Sequence, residues 1–290
     1  MIQTRKLFVV ATLVATSVAM AAKDGSIVLR KSLRQGIESY HLETTQKQTI
    51  SIPGAGDQDM NITSVSAYSY KIGTVDATAG LAPIDVTTKV EKFDADGPMA
   101  DLMAGQKDKI LVTTTSSGKL DARNRFTADP TKKLDPRAVL NGTATSSIFG
   151  PFIEFPEKGI NIGDTWDVTI HKGPTTNKED QKITAKLVGE KDLDGKAVYI
   201  VSLSGSFNTD INLGEILKAN PNPDLEALGT PNMLLKGSTE LSGELLVDKA
   251  TGQTVLLTLK MTTKQQAELP DQNLSIPSTG TATIKLSLDK

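Results

Sequence analysis

Apolar and polar residues alternate along most of this chain with a period of two. The pattern is clearest near the C-terminus, where Leu241, Leu245 and Val247 alternate with polar residues before a turn at Asp248–Gly252. Val255, Leu257, Leu259 and Met261 then repeat the alternation, as do Ile284, Leu286 and Leu288. Because successive side chains of a strand point to opposite faces, this predicts an antiparallel meander with one apolar and one solvated face.

The same pattern predicts further strands upstream. They cover Ile37–Leu42, Gln46–Ile52, Met60–Ile72, Ile84–Val90, Lys109–Thr115, Lys119–Phe126, Thr165–Ile170, Gln181–Val188 and Ala197–Phe207. Turns are predicted at Pro53–Gly56, Ser116–Gly118 and Leu193–Lys196, which have the length and composition of hairpin connections. Few connections are long enough for a crossover helix, so the strands favour an antiparallel sheet over parallel winding.

The central stretch Ile148–Ile170 holds three of the seven phenylalanines and the single tryptophan. Gly163 and Asp164 are predicted to turn the chain, and Trp166 to begin a strand and insert into the core. Replacing Trp166 with alanine is expected to cost about 3 to 5 kcal/mol and to abolish folding.

Short helices are predicted between the strands. Asp96–Gly105, Asp135–Gly142 and Asn222–Gly229 each combine a capping side chain, an early proline and a closing glycine, and Ile211–Ala219 is a fourth candidate. Such short helices must lie against a sheet. The predicted fold is therefore mainly β (α+β): a large curved antiparallel sheet forming an open half-barrel, with a few short helices over its concave face and a flap at Asn208–Lys236.

The first 22 residues have the pattern of an export signal. Arg5 and Lys6 precede an apolar run from Leu7 to Val18, and Ala19-Met20-Ala21 is a small-x-small cleavage site. The run is too short to span a membrane. We therefore expect cleavage near Ala21, no transmembrane anchor in the mature chain, and a periplasmic or extracellular protein. Residues 23–290 are expected to form a single β-rich domain or two closely packed halves meeting near residues 148–170.

Composition excludes several functions. Without Arg5 and Lys6 the chain has 30 basic and 34 acidic residues, a net charge of −4. Such a chain has no positive electrostatic field that would attract nucleic acid or anionic lipid. The absence of cysteine excludes thiolate catalysis and cysteine metal sites, and in an exported chain it favours a bacterial origin. We expect no cofactor.

No catalytic or metal constellation is evident in the sequence. His41 and His171, the two histidines, are far apart and lack further ligands at metal-binding spacing. Two groups of aspartates could be imagined as glycosidase pairs, Asp121, Asp129 and Asp135, and Asp180, Asp192 and Asp194, but turn positions explain them better. The chain has no Gly-x-Ser-x-Gly or Ser-x-x-Lys motif in a suitable setting.

The remaining candidate is the apolar side of the short helices. Its members are Met99, Leu102, Met103, Ile216, Leu217, Leu225 and Leu228. They could line a lipid pocket, because methionine adapts to varied apolar ligands, or they could simply be core, because helix-on-sheet packing uses the same residues.

The layout resembles a domain-of-unknown-function family of secreted bacterial β-rich proteins. The resemblance rests on Leu33-Arg34-Gln35-Gly36, the Tyr40 strand, the Pro156–Trp166 region and the Gly237–Lys260 hairpin, within residues 30–265. In layout this family is similar to periplasmic lipoprotein-localisation carriers, which hold acyl chains in a half-barrel. The resemblance implies lipid handling and no catalytic residues.

The expected function is therefore non-enzymatic binding of a lipid or another apolar ligand, or of an envelope protein partner. A structural or surface-interaction role in the cell envelope is the alternative, and a hydrolase is a third possibility.

Overall fold

The computed structural model describes residues 26–97, 100, 111, 113–129, 131, 151–171, 179–212, 215 and 233–289. The described strands are β1 (Gly36–Ile52), β2 (Gly56–Ile72), β3 (Leu81–Asp96), β4 (Thr113–Asp121), β5 (Phe126–Ala128), β6 (Thr165–Ile170), β7 (Gln181–Leu193), β8 (Lys196–Asn212), β9 (Leu234–Asp248), β10 (Thr254–Leu269) and β11 (Leu274–Leu288). A single 3-10 turn, Pro270–Gln272, joins the last two.

The eleven strands form one sheet in the order β5-β4-β3-β2-β1-β11-β10-β9-β8-β7-β6. Every neighbouring pair is antiparallel. The order has two ends, β5 and β6, so the sheet is not closed into a barrel. The predicted antiparallel, mainly β fold is confirmed, and many strands are longer than predicted.

One short segment shows how strongly the sheet curls. The backbone N–H of Phe155 donates to the carbonyl of Arg123, in the β4–β5 turn, at 2.8 Å. The carbonyl of the preceding residue, Glu154, accepts from the indole Nε1 of Trp166 in β6, also at 2.8 Å. In a flat sheet β4 and β6 would lie nine interstrand steps apart, about 43 Å at about 4.8 Å per step. Adjacent residues cannot bridge that gap, so the sheet must curl until its two edges come close.

The first described residues make a second bridge at the same end of the sheet. Ile27 pairs with Ile160, the N–H of Lys31 donates to Ala122 at 2.8 Å, and the N–H of Ser32 donates to Thr251, in the β9–β10 turn, at 2.7 Å. Adjacent residues again contact turns that a flat sheet would hold far apart. Residues 26–33 and 151–160, here called the closing segments, therefore cross and fill this end.

The core lies beneath the closing segments. Its largest fully buried side chains are Tyr40, Tyr70, Phe155, Leu29, Ile72, Ile84, Leu120, Ile153, Leu187, Leu203 and Leu245. The strand members point to one face, since directly paired residues share a face: Leu42 pairs with Leu286, Leu286 with Leu257, and Leu257 with Leu245. We call this the inner face. The closed end is where the closing segments cover it.

The other end of the sheet, the open end, is where the described strands leave their longest connections. The chain departs there after β3, β5, β6 and β8 and rejoins there at the starts of β4, β7 and β9. The predicted helices fall mostly within these connections, outside the described residues, and stay predictions. Ile211 and Asn212 are an exception: they belong to β8 rather than to the helix proposed for Ile211–Ala219.

The hairpin turn predicted at Ser116–Gly118 is wrong, because β4 runs straight through it. Gly118 marks a close approach instead of a turn: a Cβ there would lie 2.4 Å from the Thr127 carbonyl and 2.6 Å from the Phe126 ring. The real turn follows Asp121, whose carboxylate accepts the backbone N–H groups of Arg123 and Arg125 at 2.8 and 3.0 Å.

Trp166 is the second residue of β6, which follows a turn at Gly163 as predicted. Its side chain is only half-buried and packs against the edge of the core. The prediction that Trp166 inserts into the core therefore overstates its burial. The indole N–H instead anchors the side chain by donating to the Glu154 carbonyl.

The closed end yields a first prediction. Asn124 is 1% exposed, and its side-chain amide donates to the carbonyls of Pro151 and Ile153 at 2.7 and 3.2 Å. Asn124→Ala should lower the free energy of unfolding by about 2 to 4 kcal/mol, because both carbonyls lose a buried donor. Urea unfolding followed by circular dichroism measures the change.

Asn273→Ala is the matched control. Asn124 and Asn273 both have positive φ, 60° and 48°, so alanine is strained at either position. Asn273 is exposed in the β10–β11 turn and should lose about 1 to 3 kcal/mol less than Asn124. Equal losses would mean that the bonds to the closing segment contribute nothing.

Candidate functional site

The candidate site is the inner face toward the open end, beyond the closing segments. Its residues follow from the strand register, which places Thr44, Gln46, Gln48, Ile50 and Ile52 of β1 on the same face as the buried Tyr40 and Leu42. The neighbouring strands continue this face with Gln58, Met60, Ile62 and Ser64 of β2, Leu274, Ile276, Ser278, Gly280 and Ala282 of β11, Met261, Thr263, Gln265, Ala267 and Leu269 of β10, Leu235, Gly237, Thr239 and Leu241 of β9, and Phe207, Thr209 and Ile211 of β8. We call this set the open inner face.

The open inner face carries no charged residue. Along the same lengths of these six strands, the charged residues all occupy the alternate positions and point outward: Lys47, Asp57, Asp59, Asp210, Lys236, Glu240, Lys264 and Glu268. Outward charges also pair across strands, as in Lys236 Nζ to Glu268 Oε2 at 2.9 Å. Along these lengths of the six strands the sorting is complete.

Burial along the inner face changes from one end to the other. In β1, Tyr40 and Leu42 are buried, whereas every inward residue from Thr44 to Ile52 is half-buried. In β11, Ile284 and Leu286 are buried and the inward residues from Leu274 to Ala282 are half-buried. In these two strands the face therefore passes from a packed core into a partly covered surface. On the neighbouring strands of the open inner face, Met60, Phe207, Thr239 and Leu241 are buried.

The residues predicted to bind an apolar ligand all lie outside the described residues. Met99, Leu102 and Met103 belong to the connection between β3 and β4. Ile216, Leu217, Leu225 and Leu228 belong to the connection between β8 and β9. Both connections leave and rejoin the sheet at the open end, which is the end that the open inner face occupies. Their role stays a prediction.

A second group of polar residues lies at the closed end. Lys31 is 3% exposed, and its Nζ donates to both carboxylate oxygens of Glu38, at 2.8 and 2.6 Å. The Tyr70 hydroxyl donates to Glu38 Oε2 at 2.7 Å and lies 3.0 Å from the Tyr40 hydroxyl. The two tyrosine rings stack with centroids 5.5 Å apart.

Burial shifts the pKa values of this group. Desolvation lowers the pKa of Lys31, and the adjacent Glu38 carboxylate opposes the shift. Desolvation raises the pKa of Tyr40, with the charge of Glu38 adding to it, and raises the pKa of Tyr70, with Tyr40 and Glu38 adding to it. Shifted values can mark active sites, but here the polar groups satisfy one another and fasten the N-terminal closing segment to β1 and β2. We therefore assign the group a structural role.

The other candidates from the sequence lie in exposed pairs or turns. His41 is 3.6 Å from Glu43, and His171 Nδ1 is 3.4 Å from Asp180 Oδ2, all with exposed side chains. Asp192 accepts the N–H of Gly195 in the β7–β8 turn, and Asp129 accepts that of Thr131. Asp135 lies outside the described residues. Among the residues that are described, no three His, Asp or Glu side chains cluster as metal ligands.

Within the described ranges, no helix has the length and apolarity needed to cross a membrane.

Comparisons with known proteins place the chain among distant structural neighbours. No protein-family model matches it, and no curated protein matches its sequence. Solved structures that match include lipovitellin, in a structure described by its lipid–protein interactions, at 9% identity and a TM-score of 0.42, covering 89% of this chain and 26% of that one. The present chain thus spans about a quarter of the lipovitellin chain.

Two further matches are bacterial. One is a LolA superfamily protein from Nitrosomonas europaea, at 7% identity and a TM-score of 0.15, covering 89% of each chain. The other is a DUF1329 family protein from Desulfovibrio piger, at 10% identity and a TM-score of 0.15, covering 86% of this chain and 85% of that one. The neighbours thus include a LolA superfamily protein and a DUF1329 family protein. Because all three TM-scores are below 0.5, this similarity carries no argument about function.

The tyrosine pair yields the second prediction. Unfolded tyrosines lose their protons near pH 10, whereas the folded pair keeps them to higher pH because its pKa values are raised. Above about pH 10 the unfolded state therefore binds fewer protons, and the free energy of unfolding should fall by up to about 1.4 kcal/mol per pH unit for each tyrosine.

Tyr40→Phe should reduce the decrease of the free energy of unfolding with pH by about the contribution of one tyrosine. Urea unfolding at several pH values between about 8 and 11 measures this decrease. Wild type and Tyr40→Phe with the same slope would show that this pair does not govern alkaline stability.

Proposed function

We propose that this protein is a non-enzymatic carrier that holds an apolar ligand, such as a lipid acyl chain, against the open inner face of its half-barrel. The observation that carries the proposal is the sorting of charge along the six strands of the open inner face. An inner face without charge, half-buried in β1 and β11, is backed by an outer face that bears all the charged residues.

Solvation explains why this sorting favours an apolar ligand. A strand face that stays in water tolerates charged residues, and the outer face carries many of them. A buried charge without a partner is strongly unfavourable, so a face that must accept an apolar molecule has to exclude charge. Covering apolar surface yields about 25 cal/mol per Å², so a ligand that covers several of these strands gains affinity from area alone.

The dimensions of the face suit an acyl chain. Thr44 to Ile52 of β1 covers eight residue steps, about 26 Å at about 3.3 Å per residue. The hydrocarbon core of a bilayer is about 30 Å thick, so the acyl region of one leaflet is about half of that. A chain from one leaflet can therefore lie along the strands within the open inner face.

The connections at the open end would complete the site under this proposal. Met99, Leu102 and Met103 from one connection, with Ile216, Leu217, Leu225 and Leu228 from the other, would then cover the ligand from the side opposite the sheet. If the same residues instead pack directly on the sheet, they are core and leave no room for a ligand. These two arrangements differ in whether the purified protein takes up an apolar molecule.

We propose further that the carrier works outside the cytoplasm, after cleavage of residues 1–22 near Ala21, in the periplasm or beyond it. The basic start, apolar run and small-x-small site of that segment support export. An envelope protein that delivers or receives the ligand would be its partner.

A matched pair of adjacent substitutions tests the function. Ala282 faces inward between Gln46 and Met261, and Thr283 faces outward between Thr45 and Lys260. Ala282→Glu should weaken binding of an apolar fluorescent naphthylamine dye at least about tenfold, because it places a charge on the uncharged face. Thr283→Glu should leave binding unchanged, since its carboxylate lies beside Lys260 in solvent.

Thermal unfolding by circular dichroism confirms that both variants are folded. Dye binding by Ala282→Glu equal to that of wild type would contradict the proposal. A folded wild-type protein that binds no dye would also contradict it and would favour a structural role in the envelope.

A further inference from the structure

The open inner face is not uniform along the strands, because uncharged polar residues form a band across it. On the closed side of the band lie Ala282, Met261 and Leu241, which pair across β11, β10 and β9. On the side of the open end lie Ile276, Ala267, Leu235 and Ile211, which pair across β11 to β8. Between these two apolar rows the register places Gln48, Thr263, Thr239, Ser278 and Gln265.

A glycine leaves a recess in the middle of this band. Gln48 pairs with Gly280, and Gly280 pairs with Thr263 on its other side. Gln48 and Thr263 therefore face each other across a position without a side chain, two interstrand steps or about 10 Å apart. Gly280 cannot be filled by a larger residue, because a Cβ there would lie 2.8 Å from the Lys47 carbonyl.

Hydrogen bonding within the band leaves two amide donors without partners among the described residues. Gln48 Oε1 accepts from Gln46 Nε2 at 3.3 Å, so the Gln48 amide nitrogen remains as a donor. The Thr239 and Thr263 hydroxyls share one bond at 3.3 Å. Gln265 extends over Gly237, where an added Cβ would meet its Cγ at 2.7 Å, and among the described residues its amide has no hydrogen-bond partner.

These features select one chemistry. An apolar tail fits the rows on either side of the band, and a neutral acceptor such as an ester carbonyl fits the amide donors inside it. A carboxylate or phosphate would need a cation, and the described strands direct none inward. Resting on the carrier function proposed above, we propose that the ligand is a neutral acyl ester whose ester group lies in the polar band between Gln48 and Gln265.

The test compares three ligands that share a chain and differ in polarity. Decane, methyl decanoate and decanoate displace the naphthylamine dye from wild-type protein at about pH 8, where the acid is ionised. Methyl decanoate should bind at least about fivefold more tightly than decanoate, since the ester meets uncharged donors and the carboxylate would be buried without a cation.

The double variant Gln48→Leu/Gln265→Leu identifies the residues responsible. It should bind methyl decanoate about fivefold to tenfold more weakly than wild type, because both amide donors are lost, and bind decane no more weakly. Gln266→Leu is the matched control: it makes the same change one residue away, on the outer face of β10, and should change neither affinity.

Two results would overturn the assignment while leaving the carrier function intact. One is tighter binding of decanoate than of its methyl ester, which would reveal an inward cation. The other is an equal effect of the double variant on decane and on methyl decanoate, which would make the band a packing feature. Failure of the dye and all three ligands to bind folded wild-type protein would instead remove the carrier function itself.

Discussion

One peptide group, between Glu154 and Phe155, bonds to both edges of the sheet and is the most direct link between them. Its carbonyl accepts the indole N–H of Trp166 and its N–H donates to Arg123. The guanidinium of Arg123 strengthens the tie with a bond to Glu154 Oε1 at 2.7 Å. Without links of this kind, an open sheet of eleven strands could adopt a range of curvatures. With this link, one end must close, and the core must fill that end.

The two halves of the inner face handle polarity in different ways because of this closure. At the closed end a lysine and a carboxylate are buried together, and Lys31 and Glu38 satisfy each other with the help of two tyrosines. Buried pairs of this kind add specificity more surely than stability. At the open end no charge faces inward in the described strands, and neutral amides and hydroxyls provide the polarity. The inner face is thus divided into a buried closed end, which contains a charged pair, and an open end, whose uncharged surface suits neutral molecules.

Much of the sheet could be predicted from the sequence. In β9, β10 and β11 apolar and polar residues alternate with a period of two, which fits a strand and does not fit a helix. The curl could not be predicted, because it depends on contacts such as that of Phe155 with Arg123, which alternation does not encode. Gly118 shows how a glycine in a strand can be mistaken for a turn. Trp166 shows how the largest apolar residue can serve as a polar anchor at an edge.

The candidate site was partly hidden for a related reason. The sequence directed attention to apolar residues such as Met99 and Leu225 and did not single out Gln48 or Gln265. Only the register, which aligns Gln48 with the buried Tyr40 along β1, shows that these amides point inward. The even spacing of Gln48 from Tyr40 in β1, and of Gln265 from Leu257 in β10, was the available signal. An uncharged polar residue in an otherwise apolar series is easily passed over.

The most direct measurement of the central claim is native mass spectrometry of the protein purified from cells without detergent. The account predicts a species heavier than the polypeptide by the mass of a neutral lipid, which dissociates as an uncharged molecule on collisional activation. A protein that is folded, carries only the polypeptide mass, and stays at that mass after incubation with neutral acyl esters would contradict it.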